Sequence, residues 1–194
     1  MAERLINETD TVVMIPAHAV LGDYKAITQT GLKSIEALTA ADINYYAVVS
    51  DLSHANAGSG GNVSCAIDAG AFTLGNGDSQ EEDDKTLCDP GNIVDLGDAT
   101  YDADITGFRD ADPTATDSAF VLWESLTFVA DVPYIIIHRV GYKSDVQFAA
   151  GQEIDAYVVE TDWPVPVVSD GGKQKIQSVF IPKNDSRTTL ELEA

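Results

Sequence analysis

The chain has 194 residues, of which 44% are hydrophobic and 22% charged, an ordinary balance for a folded protein. That length suffices for one domain with its own core, so residues 1–194 read as a single domain. Its 32 acids against 11 bases give a formal charge of −21, which argues against a sequence-tolerant nucleic-acid binder and against an anionic membrane surface as partner.

The N-terminus lacks a basic stretch followed by a long apolar run, so no secretory leader is expected. No apolar run approaches the roughly 20 residues that a membrane helix needs. Residues 11–15 (TVVMI), 43–49 (INYYAVV) and 63–67 (VSCAI) alternate with the period of two that marks a half-buried strand. Between them Asn56–Asn62 (NAGSGGN) has the composition of a flexible hairpin tip. Asn76–Asp84 (NGDSQEEDD) reads as a solvated, self-repelling acidic run. Asp89-Pro90-Gly91-Asn92 fits a turn, with Pro second and Gly at the left-handed third position. Residues 101–106 (YDADIT) alternate again, with Tyr101, Ala103 and Ile105 on one face.

Residues 116–130 (TDSAFVLWESLTFVA) change period: Leu122 and Leu126 flank Phe120, Trp123 and Phe128 as on one helix face. Thr116 or Asp117 suits the N-cap, and Asp131-Val132-Pro133 breaks the helix. Tyr134–Gly141 (YIIIHRVG), 154–160 (IDAYVVE) and 175–181 (KIQSVFI) complete the strands. The pattern predicts a mainly β (α+β) fold, an antiparallel sandwich or barrel with one flanking α-helix at about 116–130. Regular β-α-β alternation is missing, which disfavours a doubly wound sheet. Thirteen acids against two bases fall in residues 78–117, about half the net charge in one fifth of the chain.

No catalytic or cofactor pattern emerges. The chain has no G-x-x-x-x-G-K-[ST], G-x-S-x-G or H-E-x-x-H, and Ala57–Gly61 lacks the spacing of a dinucleotide loop. His18, His54 and His138 have no nucleophile patterned beside them; His138 next to Arg139 reads as a sheet histidine. Cys65 and Cys88 are expected to be reduced, though a pairing between them stays open, and the absence of C-x-x-C removes a zinc site. Asp102, Asp104, Thr106 and Gly107 match the start of a calcium loop, but its twelfth position would be Pro113 where a bidentate Glu is required. Strand alternation explains the same residues without a metal. Paired carboxylates for glycoside hydrolysis lack an aromatic sugar platform, because Trp123 reads as helix core and Trp163 as a strand end. No enzyme, metal or cofactor is expected.

The order of pieces in the C-terminal half is specific. The aromatic helix leads through its break into Tyr134–Gly141, then Ala149-Ala150-Gly151-Gln152-Glu153-Ile154-Asp155-Ala156-Tyr157-Val158-Val159, then Trp163-Pro164-Val165-Pro166, and a last strand ending in Pro182-Lys183-Asn184. This series resembles the major tail (tail tube) proteins of long-tailed, non-contractile bacteriophages, particularly those of actinobacterial hosts. Leu32–Ile43 resembles the family's short "ELTAG-D-I" element, with Ala41 where Gly is the pattern, and Ser64–Asn92 resembles its acidic middle.

The resemblance implies a tail-tube β-sandwich with no catalytic residues and no cofactor. It implies rings of six stacked into a hollow tube, assembled in the host cytoplasm and carried in the virion tail. Implied partners are further copies of the chain, the tape measure protein and the tail-tip and tail-terminator proteins, with DNA in transit and not specifically bound. Loops near 51–62 and 76–85 become candidates for ring-to-ring contacts: Asp51, His54, Asn56, Ser59, Asn62, Asp78, Glu81, Glu82, Asp83 and Asp84. Six copies would carry 6 × −21 = −126, a repulsion screened over about 8 Å at physiological ionic strength. A tube protein of a contractile injection or secretion apparatus is the nearest alternative. An acidic, calcium-stabilised β-sandwich that binds ligands at a cell surface is the alternative from another class.

Overall fold

The computed structural model describes residues 10–21, 35–47, 60–76, 81–82, 95–96, 101–112, 114–115, 118–167, 172–183 and 187–193. Its strands are β1 (Asp10–Pro16), β2 (Gly61–Asn62), β3 (Ile67–Asn76), β4 (Glu81–Glu82), β5 (Asp95–Leu96), β6 (Tyr101–Phe108), β7 (Pro133–Val140), β8 (Glu153–Thr161), β9 (Val165–Val167), β10 (Lys175–Pro182) and β11 (Arg187–Glu191). The helices are α1 (Ala17–Leu21), α2 (Ala40–Tyr46) and α3 (Ala119–Thr127), with short 3₁₀ turns at Ile35–Ala37 and Ser64–Ala66.

Nine strands form one antiparallel sheet in the order β2-β1-β7-β8-β10-β6-β3, with β11 also on β8 and β9 also on β10. The two halves of the sheet join where Phe180–Pro182 of β10 pairs with Val159–Thr161 of β8. Beyond that contact β8 pairs with β11, and β10 with β9. The two halves can therefore fold face to face. Val12, Met14, Tyr134, Ile136, Tyr157 and Val159 meet Ala103, Ile105 and Phe180 there, and α3 adds Leu122, Trp123 and Leu126.

A second core lies on the other face of β1, β7 and β8. Val13, Ile15, Ile135, Ile137, Ala156 and Val158 pack there under Ala17, Val20, Ile35, Leu38 and Ile43. The central strands are thus covered on both faces, which is why Tyr134-Ile135-Ile136-Ile137 is an unbroken run with every side chain buried. The predicted mainly β sandwich with α3 flanking it is the observed architecture. Strands 11–15, 101–106, 134–141, 154–160 and 175–181 all fall on observed strands.

Several local expectations need correction. Residues 43–46 are not strand but the end of α2; residues 48–49 lie outside the described set. A capping box decides this: Asp42 N–H donates to Thr39 Oγ1 at 3.3 Å, and Thr39 N–H donates back to Asp42 Oδ2 at 3.0 Å. Ala40, Ile43 and Ala47 then share a face and pack on the core, a helical spacing that the apolar run 43–49 also permits. Residues 64–66 form a 3₁₀ turn, because Ser64 Oγ takes the Val12 N–H at 2.8 Å and bonds Asn62 Oδ1 at 2.7 Å, ending the β2 ladder.

The predicted loops also contain short strands. Gly61 and Asn62 pair with Met14 and Val13, and Glu81 and Glu82 pair with Leu96 and Asp95 as a separate two-stranded ribbon. The cap of α3 is Ser118, whose Oγ accepts from Val121 N–H at 3.4 Å. Thr116, Asp117 and the turn Asp89–Asn92 lie outside the described residues.

Candidate functional site

Chain surfaces are organised at the two ends of the central strands. At the end where β7 stops, Arg139 is fully buried. Its guanidinium lies 3.8 Å from the Phe148 ring centroid and 4.7 Å from that of Tyr142. Nη1 donates to Gln152 Oε1 at 2.9 Å and Gln147 O at 3.2 Å; Nη2 donates to Val146 O at 2.7 Å and Thr11 Oγ1 at 3.3 Å. Burial lowers the proton affinity of this arginine, but a guanidinium remains charged throughout the working range. Asn44 grips Phe148 through both backbone groups, at 2.8 and 2.9 Å. Asn62 Nδ2 donates to Ser144 O at 2.9 Å. The 141–152 connection is therefore fastened to β1, β2 and α2 and holds exposed Val146 in a fixed place.

On the neighbouring face His138 stands between two carboxylates, with Nε2 3.6 Å from Asp10 Oδ2 and Nδ1 3.9 Å from Asp155 Oδ2. These are ion-pair distances, longer than hydrogen bonds. The Phe72 ring covers the imidazole, 5.2 Å away between centroids. A hollow of about 560 Å³ opens beside it, lined also by Glu153, Gln152, Thr189 and Glu191 but by no Ser or Cys. Among the described residues no three His, Cys, Asp or Glu side chains converge as a metal cage.

His138, and next the Thr189 N–H, hold the Asp155 carboxyl below its usual range against partial burial. A depressed folded value contributes stability that is full above about pH 4, the unfolded carboxyl's range, and is lost as pH falls through the folded value. Asp155→Asn is accordingly expected to flatten the loss of urea resistance between pH 4 and 2.5. Equal acid slopes for variant and wild type would refute this coupling.

At the opposite end, apolar side chains are exposed. Trp163 is 72% accessible, Phe128 59%, Val165 52%, and Val129 and Ile181 are each 46%. Thr161 organises the backbone there: its hydroxyl donates to Val129 O at 2.7 Å and accepts from Val132 N–H at 3.0 Å. Asp131, at φ 63°, reverses the chain after α3. Next to this surface, Arg109 N–H donates to Gln174 O at 3.0 Å. That bond draws Arg109, Lys173 and Lys175 to one groove of about 340 Å³, whose other wall is Pro166 and Val167 of β9.

Of the sequence-derived contact candidates, Asn62, Glu81 and Glu82 fall among the described residues. Asn62 is 4% exposed, and its amide is engaged by Ala47 O and Ser144 O, so it presents nothing outward. Glu81 and Glu82 lie on β4. Asp51, His54, Asn56, Ser59, Asp78, Asp83 and Asp84 lie outside the described residues, as does Cys88; Cys65 is a free, exposed thiol. Asp102, Asp104 and Thr106 lie along extended β6 and are not curled round a common centre; Asp104 Oδ1 instead accepts from Gln177 at 3.4 Å. Sequence reasoning missed the exposure of Trp163 and the Arg109–Lys173–Lys175 convergence. The near-neutral charge of residues 132–194, with nine acids and six bases, carried a signal for Lys173 and Lys175 but none for Arg109.

Among the described residues, the surface thus has an exposed apolar end and a fastened connection at the other. No helix among the described residues is long and apolar enough to cross a membrane. No curated protein matches the chain. The family described as phage tail tube protein matches residues 4–194, nearly the entire sequence. With that coverage and this antiparallel sandwich, the chain belongs to the phage tail tube protein family, a structural and non-enzymatic component of the virion tail.

Proposed function

We propose that the chain forms rings of six that stack into the tail tube, a conduit through which DNA leaves the particle. The family match over residues 4–194 carries this reading. The exposed apolar end supports it, because single copies rarely keep several large apolar groups in water unless they are interface. Two different surfaces at opposite ends of the strands suit heterologous contacts, which close into rings or propagate into filaments. The tape measure protein would occupy the lumen during assembly in the host cytoplasm, and tail-tip and tail-terminator proteins would cap the ends. The net charge of −21 per chain favours a wall that repels phosphate, so that DNA passes without adhering.

Electron microscopy of concentrated chain tests the reading. Rings or tubes are expected, and these assemblies should retain no duplex DNA at physiological salt. A chain that stays monomeric at every salt concentration, with tail partners added, would overturn it.

A further inference from the structure

We infer that the groove between β9 and the end of β6 seats a second copy of this chain, and that the part seated is the acidic ribbon of β4 and β5. The inference rests on the self-assembly proposed above. Among the described residues, Arg109, Lys173 and Lys175 line the groove and no acid does, in a chain where acids outnumber bases 32 to 11. Glu124 holds Arg109 at 2.7 Å and Asp68 holds Lys175, which fixes both cations in position. Lys173 makes no ion pair among the described residues; its ammonium lies 5.5 Å from the Phe108 ring centroid, and that of Lys175 lies 5.0 Å from it.

The rim adds an apolar anchor. Trp163 and Val165 precede the groove wall on the same segment and are largely exposed. Aromatic and arginine side chains together are what protein interfaces enrich at their centres. The β9 edge itself is unsuited to strand addition, since Pro166 in its middle has no N–H to offer. Recognition at this place must therefore use side-chain charge and the tryptophan face.

The complementary charge is on the same chain. Residues 78–98 carry eight acids and one base, Lys85, and their described strands pair only with each other. Two strands alone make a marginal sheet in water, and like charges along them weaken the pairing further. A basic surface on a neighbouring subunit supplies both the countercharge and a wall to pack on.

A charge-swap assembly experiment tests this. Lys173→Glu with Gln174→Glu reverses the groove without touching either ion pair; Glu81→Lys with Glu82→Lys reverses the ribbon. Each variant alone is expected to need at least tenfold more protein than wild type to form rings or tubes, while circular dichroism and melting stay as wild type. An equimolar mixture of the two is expected to co-assemble near the wild-type concentration, because each groove then meets a ribbon of opposite sign on the other chain. Either variant assembling like wild type would overturn the inference, and so would two folded variants whose mixture does not recover. Wild-type chain that forms no assemblies would instead overturn the self-assembly reading, and this inference with it.

Discussion

Arg139→Ala is expected to destabilise the protein by about 3–5 kcal/mol, through the loss of several charge-assisted hydrogen bonds and of the packing between two rings. The guanidinium is fully buried, and it is held by neutral acceptors and two aromatic rings; no carboxylate is among the partners named for it. Truncation removes the donor from Val146 O and Gln147 O, two part-buried bonds, and each lost charge-assisted bond is worth about 1.5–3 kcal/mol at most, less where water takes the donor's place. It also opens a void beside Phe148. Arg139→Lys should recover little, since an ammonium cannot span acceptors on both sides as the planar fork does. Arg139→Met separates packing from hydrogen bonding by filling the volume without donors. Urea denaturation measures the loss, and hydrogen exchange should quicken across residues 141–152. A methionine variant as stable as wild type would show that the donors are dispensable.

The second large effect is expected where α3 crosses β6. Trp123 is fully buried, and a Cβ added at Gly107 would stand 2.3 Å from its Nε1 and 2.4 Å from its Cδ1. Helix and sheet approach so closely there that no side chain fits between them. Trp123→Ala should cost about 3–5 kcal/mol through lost burial and cavity. Gly107→Ala should cost about 1–3 kcal/mol or more by overpacking, since the whole indole has to move. The two sites share one contact, so their effects should not add. Gly107→Ala combined with Trp123→Phe is expected to be less damaging than the sum of the single changes, a coupling that a double-mutant cycle in urea reads directly. Strict additivity would mean that the close approach is not what makes alanine costly.

Much of the fold is legible along the chain because its signals are local. Strand alternation at 101–106, 154–160 and 175–181, and the break at Asp131-Val132-Pro133, need only neighbouring residues to act. The same local logic fails at 43–49. There an apolar run permits either period, and a two-residue capping exchange between Thr39 and Asp42 tips it to helix. Nor does a Gly/Ser/Asn-rich composition encode the backbone oxygens of Ala47 and Ser144 that engage the Asn62 amide.

The sequence by itself determined the mainly β class, the flanking helix, the absence of a catalytic pattern and a charge that sets the chain apart from nucleic-acid binders. These follow from composition and from spacings within a dozen residues. Only the tertiary structure decided which strands are covered on both faces, where Arg139 finds its acceptors, and that Arg109 meets Lys173 and Lys175. Those outcomes depend on partners far apart in the chain, such as Thr11 with Arg139 or Asp68 with Lys175. Such contacts are set by long-range strand pairing, β1 with β7, β10 with β6 and β6 with β3, and no local pattern encodes that pairing.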